Sequence, residues 1–338
     1  MTLDDVLDLP VVGAPLGGGP GTPALAAAVS EAGGLAFLAA GYKSADTVES
    51  EILALRSLTA RPFGLNIFYP VRDDVDRAAL AAYVRSLHGE EERYGVACGE
   101  ARWSDDAWDA KLALAIRERP PVVSFTFGCP ERDVVEELRT AGSAVWATVT
   151  TPAEAELALA RGVDALVLQG AEAGGHQGAF VQAGDEPLSV LALLRLVRPM
   201  TELPLIGAGG IGSATGVAAV RAAGADAAQI GSAFLLAPEA GTSEPHRRAL
   251  HGDAPTRLTR AFTGRRARGI VNRFMREHES DAPVGYPEIH FVTAPLRAKA
   301  RELGDAEGLN LWAGQAYHLA REEPAAAIVE RLAGGARD

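Results

Sequence analysis

The sequence predicts an α/β protein built as a (β/α)8 barrel, or TIM barrel, on three observations. Eight short apolar runs recur along the chain with Gly, Pro or Asn at their ends, and continuous apolar runs are typical of strands buried on both faces. Ala- and Leu-rich stretches with helical spacing lie between these runs. With 338 residues, 48% of them hydrophobic, the chain can bury one large core. A doubly wound open sheet is the alternative, but eight near-regular units favour the barrel.

The predicted strands follow one another along the chain with helical stretches between them. They cover residues 10–15, 35–40, 63–68, 122–127, 144–149, 165–170, 204–209 and 227–232. The helical stretches 22–33 and 151–162 each open on Thr-Pro and end in Gly, which supplies an N-cap, a Pro at the first helical position and a stop. Residues 71–121 are too long for one crossover, so we expect two helices there, over 73–94 and 103–119.

Residues 238–291 differ in character from this repeat. Between Glu244 and Glu279 nine arginines stand against four acidic residues, in a chain whose net charge is −12. We predict a small, mainly helical subdomain inserted after the eighth strand, above the mouth of the barrel. Residues 1–237 and 292–338 then form the barrel, with tail helices closing its outer ring. The arginines form either a solvated lid or a surface that captures anions.

Composition excludes several classes of partner and places the chain in a compartment. The negative net charge argues against binding nucleic acid or an anionic membrane, and no apolar run approaches the roughly 18 residues of a membrane span. Cys98 and Cys129 form no disulfide framework, and the acidic N-terminus does not resemble a signal peptide. We therefore expect a cytoplasmic protein. The histidines lack metal-ligand spacing, so no metal is predicted. His290 could line the pocket, but a structural role is favoured.

Two glycine-rich loops follow the last two predicted strands. The sequence GAGGI covers residues 207–211, and QIGSAF covers residues 229–234. In barrels, the loops after strands seven and eight often bind phosphate through backbone N–H groups, and Ser232 adds a hydroxyl donor. The alternative is that these glycines only form tight turns. Because both loops stand at the expected places, the sequence favours a phosphate site.

Polar side chains at other strand ends indicate what the phosphate belongs to. Gln169 ends the sixth predicted strand and Asn66 lies on the third, and both amides can pair with the polar edge of a flat ring. A phosphate-binding site together with such amides suggests that the ligand is flavin mononucleotide (FMN). His176 follows among Gly174, Gly175 and Gly178, where it can take a proton from a carbon acid or hydrogen-bond an anion. The alternative is a solvated or helix-capping histidine.

Longer motifs resemble one family. They are QGAEAGGHQG (169–178), GAGGI, QIGSAF, GTPALAAAVSEAGGLAFLAAGY (21–42), RPFGLNIF (61–68), SFTFGCP (124–130) and LNLWAGQ (309–315). With these motifs the chain resembles the nitronate monooxygenases, formerly called 2-nitropropane dioxygenases, over nearly its whole length. The first motif is the specific one, since glycine loops occur in many flavin barrels.

The resemblance implies an FMN-dependent oxidoreductase that uses O2 to oxidise alkyl nitronates, such as propionate 3-nitronate, to a carbonyl compound and nitrite. It implies His176 as the catalytic residue, which stabilises the nitronate or takes the α-proton of a neutral nitroalkane. The residues that it implies for FMN are Ala14, Pro15, Leu16, Asn66, Gln169, Gly174, Gly175, Gly209, Gly210, Gln229, Ile230, Gly231 and Ser232. The oligomeric state stays open, a homo-oligomer included.

The sequence departs from the family pattern at three positions. Gly13 stands where Gln is usual, Leu16 where Met is usual, and Gln177 where Arg is more frequent. Losing a cation at position 177 puts the substrate in doubt.

Other functions remain open beside the monooxygenase. The alternative reading is an FMN-dependent NAD(P)H reductase of the same superfamily, such as an enoyl-acyl-carrier-protein or quinone reductase, although SFTFGCP resembles the monooxygenases more. A flavin-binding sensor and a phosphosugar isomerase without flavin are further alternatives.

Overall fold

The computed structural model describes residues 2–182 and 187–334, and eight parallel strands close there into a barrel. The barrel strands are β1 (Val11–Gly13), β2 (Leu35–Ala39), β3 (Gly64–Phe68), β4 (Val122–Thr126), β5 (Ala144–Val149), β6 (Ala165–Gln169), β8 (Leu205–Ala208) and β9 (Ala227–Ile230). They pair in chain order, and β9 pairs with β1 to complete the ring. The barrel prediction is confirmed, and the open sheet is wrong.

Helices alternate with the strands as predicted. They are α1 (Pro23–Glu31), α2 (Ala45–Leu58), α3 (Arg77–Ser86), α4 (His88–Tyr94), α5 (Trp108–Glu118), α6 (Arg132–Ala141), α7 (Pro152–Arg161), α8 (Val190–Val197), α9 (Ala214–Ala222), α10 (Glu244–Leu250), α11 (Arg273–His278), α12 (Glu288–Glu302) and α13 (Ala325–Leu332). The Thr-Pro signals act as expected, because Thr22 and Thr151 are N-caps. The side chain of each accepts a hydrogen bond from the backbone N–H of the residue three positions further along the chain.

The long connection between β3 and β4 holds three helices, where the sequence predicts two. The charged stretch 73–94 divides into α3 and α4 at Leu87, whose side chain is fully buried. The N–H of Leu87 bonds to the carbonyl of Val84, three residues earlier, so the chain forms a tight 3₁₀-type turn there and changes direction. The prediction of a single helix over 73–94 is wrong, because burying Leu87 outweighs the helical continuity of the segment.

Side chains of alternate strand residues fill the lower part of the barrel. On β5, Trp146 points inward beside Phe37, with ring centroids 5.6 Å apart, while Val145 packs in the core between strands and helices. A Cβ on Gly64 would collide with the Phe37 ring, so a glycine is needed at that position of β3. Because side chains fill the barrel at this level, the space inside it opens toward the carboxyl ends of the strands.

The segment predicted as an insert contains a hairpin that the sequence did not predict. Its strands β10 (Thr256–Thr259) and β11 (Ala267–Ile270) pair antiparallel, between helices α10 and α11. The strand β11 also pairs with a two-residue strand, β7 (Gly175–His176), to form a three-stranded sheet outside the barrel. The division of the chain at residues 238 and 291 stays a prediction.

The tail contributes to two different parts of the molecule. Helix α13 packs against α1 and α9, so it belongs to the outer ring as predicted. Helix α12 packs against α4 and lines the cavity at the mouth of the barrel. No helix formed by the described residues is long and apolar enough to cross a membrane.

Candidate active site

A cavity of about 560 Å³ lies at the carboxyl ends of the barrel strands. All of the site residues named from the sequence line it, namely Ala14, Pro15, Leu16, Asn66, Gln169, Gly174, Gly175, His176, Gly209, Gly210, Gln229, Ile230, Gly231 and Ser232. Barrel topology brings them together, because parallel strands present their carboxyl ends at one face. Their individual roles toward a cofactor stay predictions.

The two glycine loops form a cradle of backbone donors. Gly209 and Gly210 have φ values of +113° and +70°, which favour glycine. Within residues 2–182 and 187–334, the N–H groups of Gly209, Gly210 and Gly231 have no protein acceptor. The hydroxyl oxygen of Ser232 accepts from the N–H of Gly314 at 2.9 Å, which leaves the Ser232 proton to donate elsewhere. Unpartnered donors at this end of a barrel suit a phosphate.

The loop that carries His176 packs backbone to backbone against residues 313–314. A Cβ on Gly174 would lie 2.5 Å from the nitrogen of Gly314 and 2.6 Å from the carbonyl carbon of Ala313. Gly175 has open space around it but a φ of +74°. The two neighbouring glycines are therefore needed for different reasons, close approach at the first and backbone conformation at the second.

The two amides predicted at strand ends both make hydrogen bonds to protein. Gln169 donates from Nε2 to the carbonyl of His176 at 3.0 Å and accepts at Oε1 from the N–H of Gly178 at 2.6 Å. Asn66 donates from Nδ2 to the side chains of Ser124 and Thr126, at 2.9 and 3.0 Å. The amide of Gln169 thus holds the histidine loop in place, a task that the sequence did not reveal.

Aromatic rings surround the imidazole of His176. Phe127, Tyr286 and Trp312 approach it edge to face, with ring centroids 5.8, 5.9 and 5.6 Å away. Burial lowers the pKa of His176 to about 3, with the guanidinium of Arg265 adding to the effect. His176 is therefore neutral around pH 7 while no anion is bound. Arg265 belongs to the arginine-rich insert, which reaches the site because the Arg265 guanidinium lies over the Phe127 ring beside His176.

Arginines of the insert bind the carbonyl groups of the histidine loop. Arg265 is 1% exposed, donates to the carbonyl of Ala179, and stacks its guanidinium 4.0 Å above the ring of Phe127. Arg268 is 7% exposed and donates from Nε to the carbonyl of Ala171 at 2.7 Å. These two arginines are neither a solvated lid nor a free anion-binding surface. They fix the loop on which His176 lies.

Position 177, where the family more often has arginine, is buried. Gln177 is 4% exposed, and its amide has no hydrogen-bond partner among the described residues. Its carbonyl lies 3.5 Å from Nε of Arg265. An arginine at position 177 would place a second cation beside the buried Arg265, which is costly. The neutral Gln177 avoids this cost.

One face of α12 supplies cavity residues, and of these only His290 was considered for the pocket from the sequence. His290, Ala294, Arg297, Ala298 and Arg301 recur at helical spacing and all line the cavity. This spacing was visible in the sequence, but nothing in it indicated that the helix crosses the barrel mouth. His290 has the structural contact that was favoured, since its ring stacks on Tyr42 at a centroid distance of 4.0 Å, and it also lines the cavity.

Arg297 is a buried cation that has no anionic partner in the described part of the chain. It is 8% exposed and donates to the hydroxyl of Thr293 at 3.0 Å and to the carbonyl of His290 at 2.8 Å. No carboxylate of the described residues forms an ion pair with it, and burial lowers its pKa to about 10. Burying a cation in this way is costly unless an anion enters the cavity.

This arrangement defines a barrel enzyme with a phosphate-type cradle and a neutral histidine at its carboxyl face. The family model of nitronate monooxygenases matches residues 2–335, and the chain belongs to this family. It is 42% identical over 337 residues to a nitronate monooxygenase of Paraburkholderia phytofirmans, covering 96% of this chain and 92% of the relative. The chain is accordingly an oxidoreductase of that family.

Solved structures agree with this assignment. A nitroalkane oxidase from Streptomyces ansochromogenes has a TM-score of 0.95 at 50% identity, covering 98% of this chain and 96% of that chain. FabK from Thermotoga maritima is more distant, with a TM-score of 0.74 at 26% identity and coverage of 96% and 92%. Of these two structures, the nitroalkane oxidase is the more similar to this chain in both overall fold and sequence.

Proposed function

We propose that this chain is an FMN-dependent enzyme that oxidises alkyl nitronates with O2 to a carbonyl compound and nitrite. The observation that carries the proposal is that one cavity holds both the neutral His176 and the buried Arg297, which has no carboxylate partner among the described residues. A nitronate is an anion whose charge lies mainly on the two oxygens of its C=NO2 group, and such a cavity attracts it. Family membership supplies the reaction class.

The chemistry of the cavity fits FMN. The unpartnered N–H groups of Gly209, Gly210 and Gly231 suit its phosphate. Among the described residues, Nε2 of His246 and Oδ1 of Asn310 are buried without a hydrogen-bond partner. Both residues line the same cavity, and these two atoms suit the hydroxyl groups of a ribityl chain. When bound, the flavin would accept electrons from the substrate and react with O2.

His176 would act on both anionic nitronates and neutral nitroalkanes, and both substrates would give the same imidazolium–nitronate pair. A nitronate beside the ring raises the pKa of His176, so binding takes up one proton from solvent and gives an imidazolium–nitronate pair. A neutral nitroalkane instead gives its α-proton to the imidazole, which yields the same pair without uptake from solvent. The rings of Phe127, Tyr286 and Trp312 exclude water around this pair.

The two routes predict different pH dependence. For a nitronate, kcat/KM falls as the pH rises, because the proton that His176 must take up becomes scarce. For a nitroalkane, kcat/KM does not change with the protonation of His176 above about pH 5, because an imidazole with a pKa of about 3 is already neutral there. Pre-formed propyl-1-nitronate and 1-nitropropane, compared from pH 5 to 9, test this. Parallel profiles for the two substrates would contradict the assigned role of His176.

The first experiment separates the monooxygenase from a reductase. The purified yellow protein is mixed anaerobically with propionate 3-nitronate in one sample and with NADH in another, and flavin absorbance is followed. We expect bleaching by the nitronate and none by NADH. Rapid bleaching by NADH would move the chain to the reductases, and a colourless protein that binds no FMN would end the flavin proposal.

We also place the enzyme in a reducing compartment, the cytoplasm. Cys98 and Cys129 are both free thiols. Burial is the main reason that the pKa of each thiol is raised to about 12, so neither is a reactive thiolate at pH 7. A fusion to a fluorescent protein, imaged in the source cell, tests the location.

A further inference from the structure

The hydroxyl of Thr263 is the direct protein partner of the His176 ring. Its Oγ1 lies 3.0 Å from Nε2 of His176, and Thr263 is 2% exposed. The same hydroxyl donates to the carbonyl of Arg265 at 3.2 Å. The other ring nitrogen, Nδ1, has no hydrogen bond to the described residues and is not among their buried unpartnered atoms. Nδ1 is therefore the nitrogen that the cavity reaches.

Hydrogen-bond accounting selects one tautomer of the ring. Thr263 has a single hydroxyl proton, and two groups compete for it, Nε2 of His176 and the carbonyl of Arg265. Among the described residues, this carbonyl has no other donor. If Thr263 donated to His176, the buried carbonyl would be left unsatisfied, which carries a free-energy cost. If the imidazole instead carries its proton on Nε2, it donates to Thr263, and every group is satisfied.

We propose that Thr263 is a positioning residue that holds His176 as the Nε2–H tautomer and leaves the lone pair of Nδ1 facing the cavity. The chain of donors runs from Nε2–H of His176 to the hydroxyl of Thr263 and on to the carbonyl of Arg265. The consequence for turnover rests on the proposed function, whereas the tautomer itself does not. Nδ1 is then the atom that takes the proton in either substrate route.

The fold makes this contact rigid. His176 is paired with Ala267 in the sheet formed by β7 and β11, and the N–H of Gln177 bonds to the carbonyl of Arg266 at 2.8 Å. Thr263 lies only four residues before Ala267, in the turn of the same hairpin. The backbone of the catalytic loop and the partner of its ring thus come from one segment. This gives the inserted hairpin a function in positioning His176.

Nitrogen NMR tests the tautomer without any turnover. In protein labelled with ¹⁵N-histidine, two-bond correlations show which ring nitrogen carries the proton, and the loss of signals in a His176→Gln variant assigns the residue. We expect protonated Nε2 and bare Nδ1 in the wild-type protein. Protonated Nδ1 in the wild-type protein would overturn the proposal, whatever the enzyme oxidises.

Three variants separate this role from a purely structural one. Thr263→Val removes the hydroxyl and keeps the shape, Thr263→Ser keeps the hydroxyl, and Thr259→Val removes a buried hydroxyl of the same hairpin that does not contact His176. We expect Thr263→Val to give a mixture of tautomers, and both other variants to keep the wild-type signals. Identical spectra for Thr263→Val and the wild type would refute the assignment.

The pH profile gives the matching kinetic signature. We expect Thr263→Val to lower kcat by about tenfold or more and to shift the pH profile of kcat/KM, with Thr263→Ser restoring both. The charged and titratable groups that act on the ring are Tyr42, Arg265, Tyr286, His290 and Arg297. They are unchanged in all variants. A Thr263→Val enzyme that loses only stability, with the wild-type kcat and profile, would show that Thr263 is merely structural.

Discussion

Replacing Gly174 by alanine tests whether the histidine loop depends on backbone contact. The new Cβ would meet Gly314 nitrogen at 2.5 Å, about 0.9 Å short of an ordinary 3.4 Å contact, and the carbonyl carbon of Ala313 at 2.6 Å. Both colliding groups are main chain, which cannot rotate away as a flexible side chain can. The loop and residues 313–314 must therefore separate.

The size of the effect follows from this geometry. Overpacking a filled site costs about 1–3 kcal/mol, and more when nothing can yield, so we expect Gly174→Ala to lose about 3 kcal/mol of unfolding free energy. Gly175→Ala meets no atom within 4 Å, but its φ of +74° is unfavourable for alanine. That conformation costs about 1–2 kcal/mol. Gly162→Ala, with a φ of +84° and open space at the end of α7, is the matched control.

Urea denaturation of the flavin-free proteins measures all three variants. We expect Gly174→Ala to be the least stable, with Gly175→Ala and Gly162→Ala close to each other. A titration with FMN should then show affinity reduced by about tenfold or more in Gly174→Ala alone among the three, because this change displaces Gly314, whose N–H bonds to the hydroxyl of Ser232 in the second glycine loop. Equal losses in Gly174→Ala and Gly162→Ala would refute the argument from close approach.

Two further predictions concern buried charges. Burial alone would raise the pKa of Glu90, but hydrogen bonds from His278 and Arg273 lower it to about 2, so this carboxylate stabilises the fold above about pH 4.5 and loses that effect as the pH falls toward 2. Urea unfolding at pH 7 and 3 should show a loss of about 2–3 kcal/mol that Glu90→Gln lacks. Asp106→Asn should cost about 3–5 kcal/mol, because Lys111, which is 0% exposed, loses the carboxylate 2.6 Å away. If Asp106→Asn lowers the free energy of unfolding in urea by less than about 1 kcal/mol, the buried ion pair of Asp106 and Lys111 is contradicted.

Much of the barrel could be predicted from the sequence because its signals are local. Continuous apolar runs reveal strands buried on both faces, and Thr-Pro with a closing Gly marks the ends of α7. All eight barrel strands lie within the predicted ranges. The failure at Leu87 shows the limit, since burial of one side chain divided a segment whose local pattern was continuous.

The insert shows what local signals miss. The hairpin of β10 and β11 has short, arginine-bearing strands without an apolar run, and β7 has only two residues. Such strands form because they find partners across some ninety residues of chain, and the pairing of Ala267 with His176 is a tertiary event. The charge pattern was clear in the sequence, but its meaning depended on which carbonyls the arginines reach.

By itself, the sequence determined the barrel, the face at which its strands end, and the glycine and histidine positions that meet there. These follow from residue order, because parallel strands joined by helices must present their carboxyl ends together. Only the tertiary structure decided that α12 carries Arg297 across the mouth, that Arg265 is buried beside His176, and that Thr263 is the partner of the ring. Those contacts join residues far apart in the chain, and no local pattern specifies which distant groups will share one desolvated space.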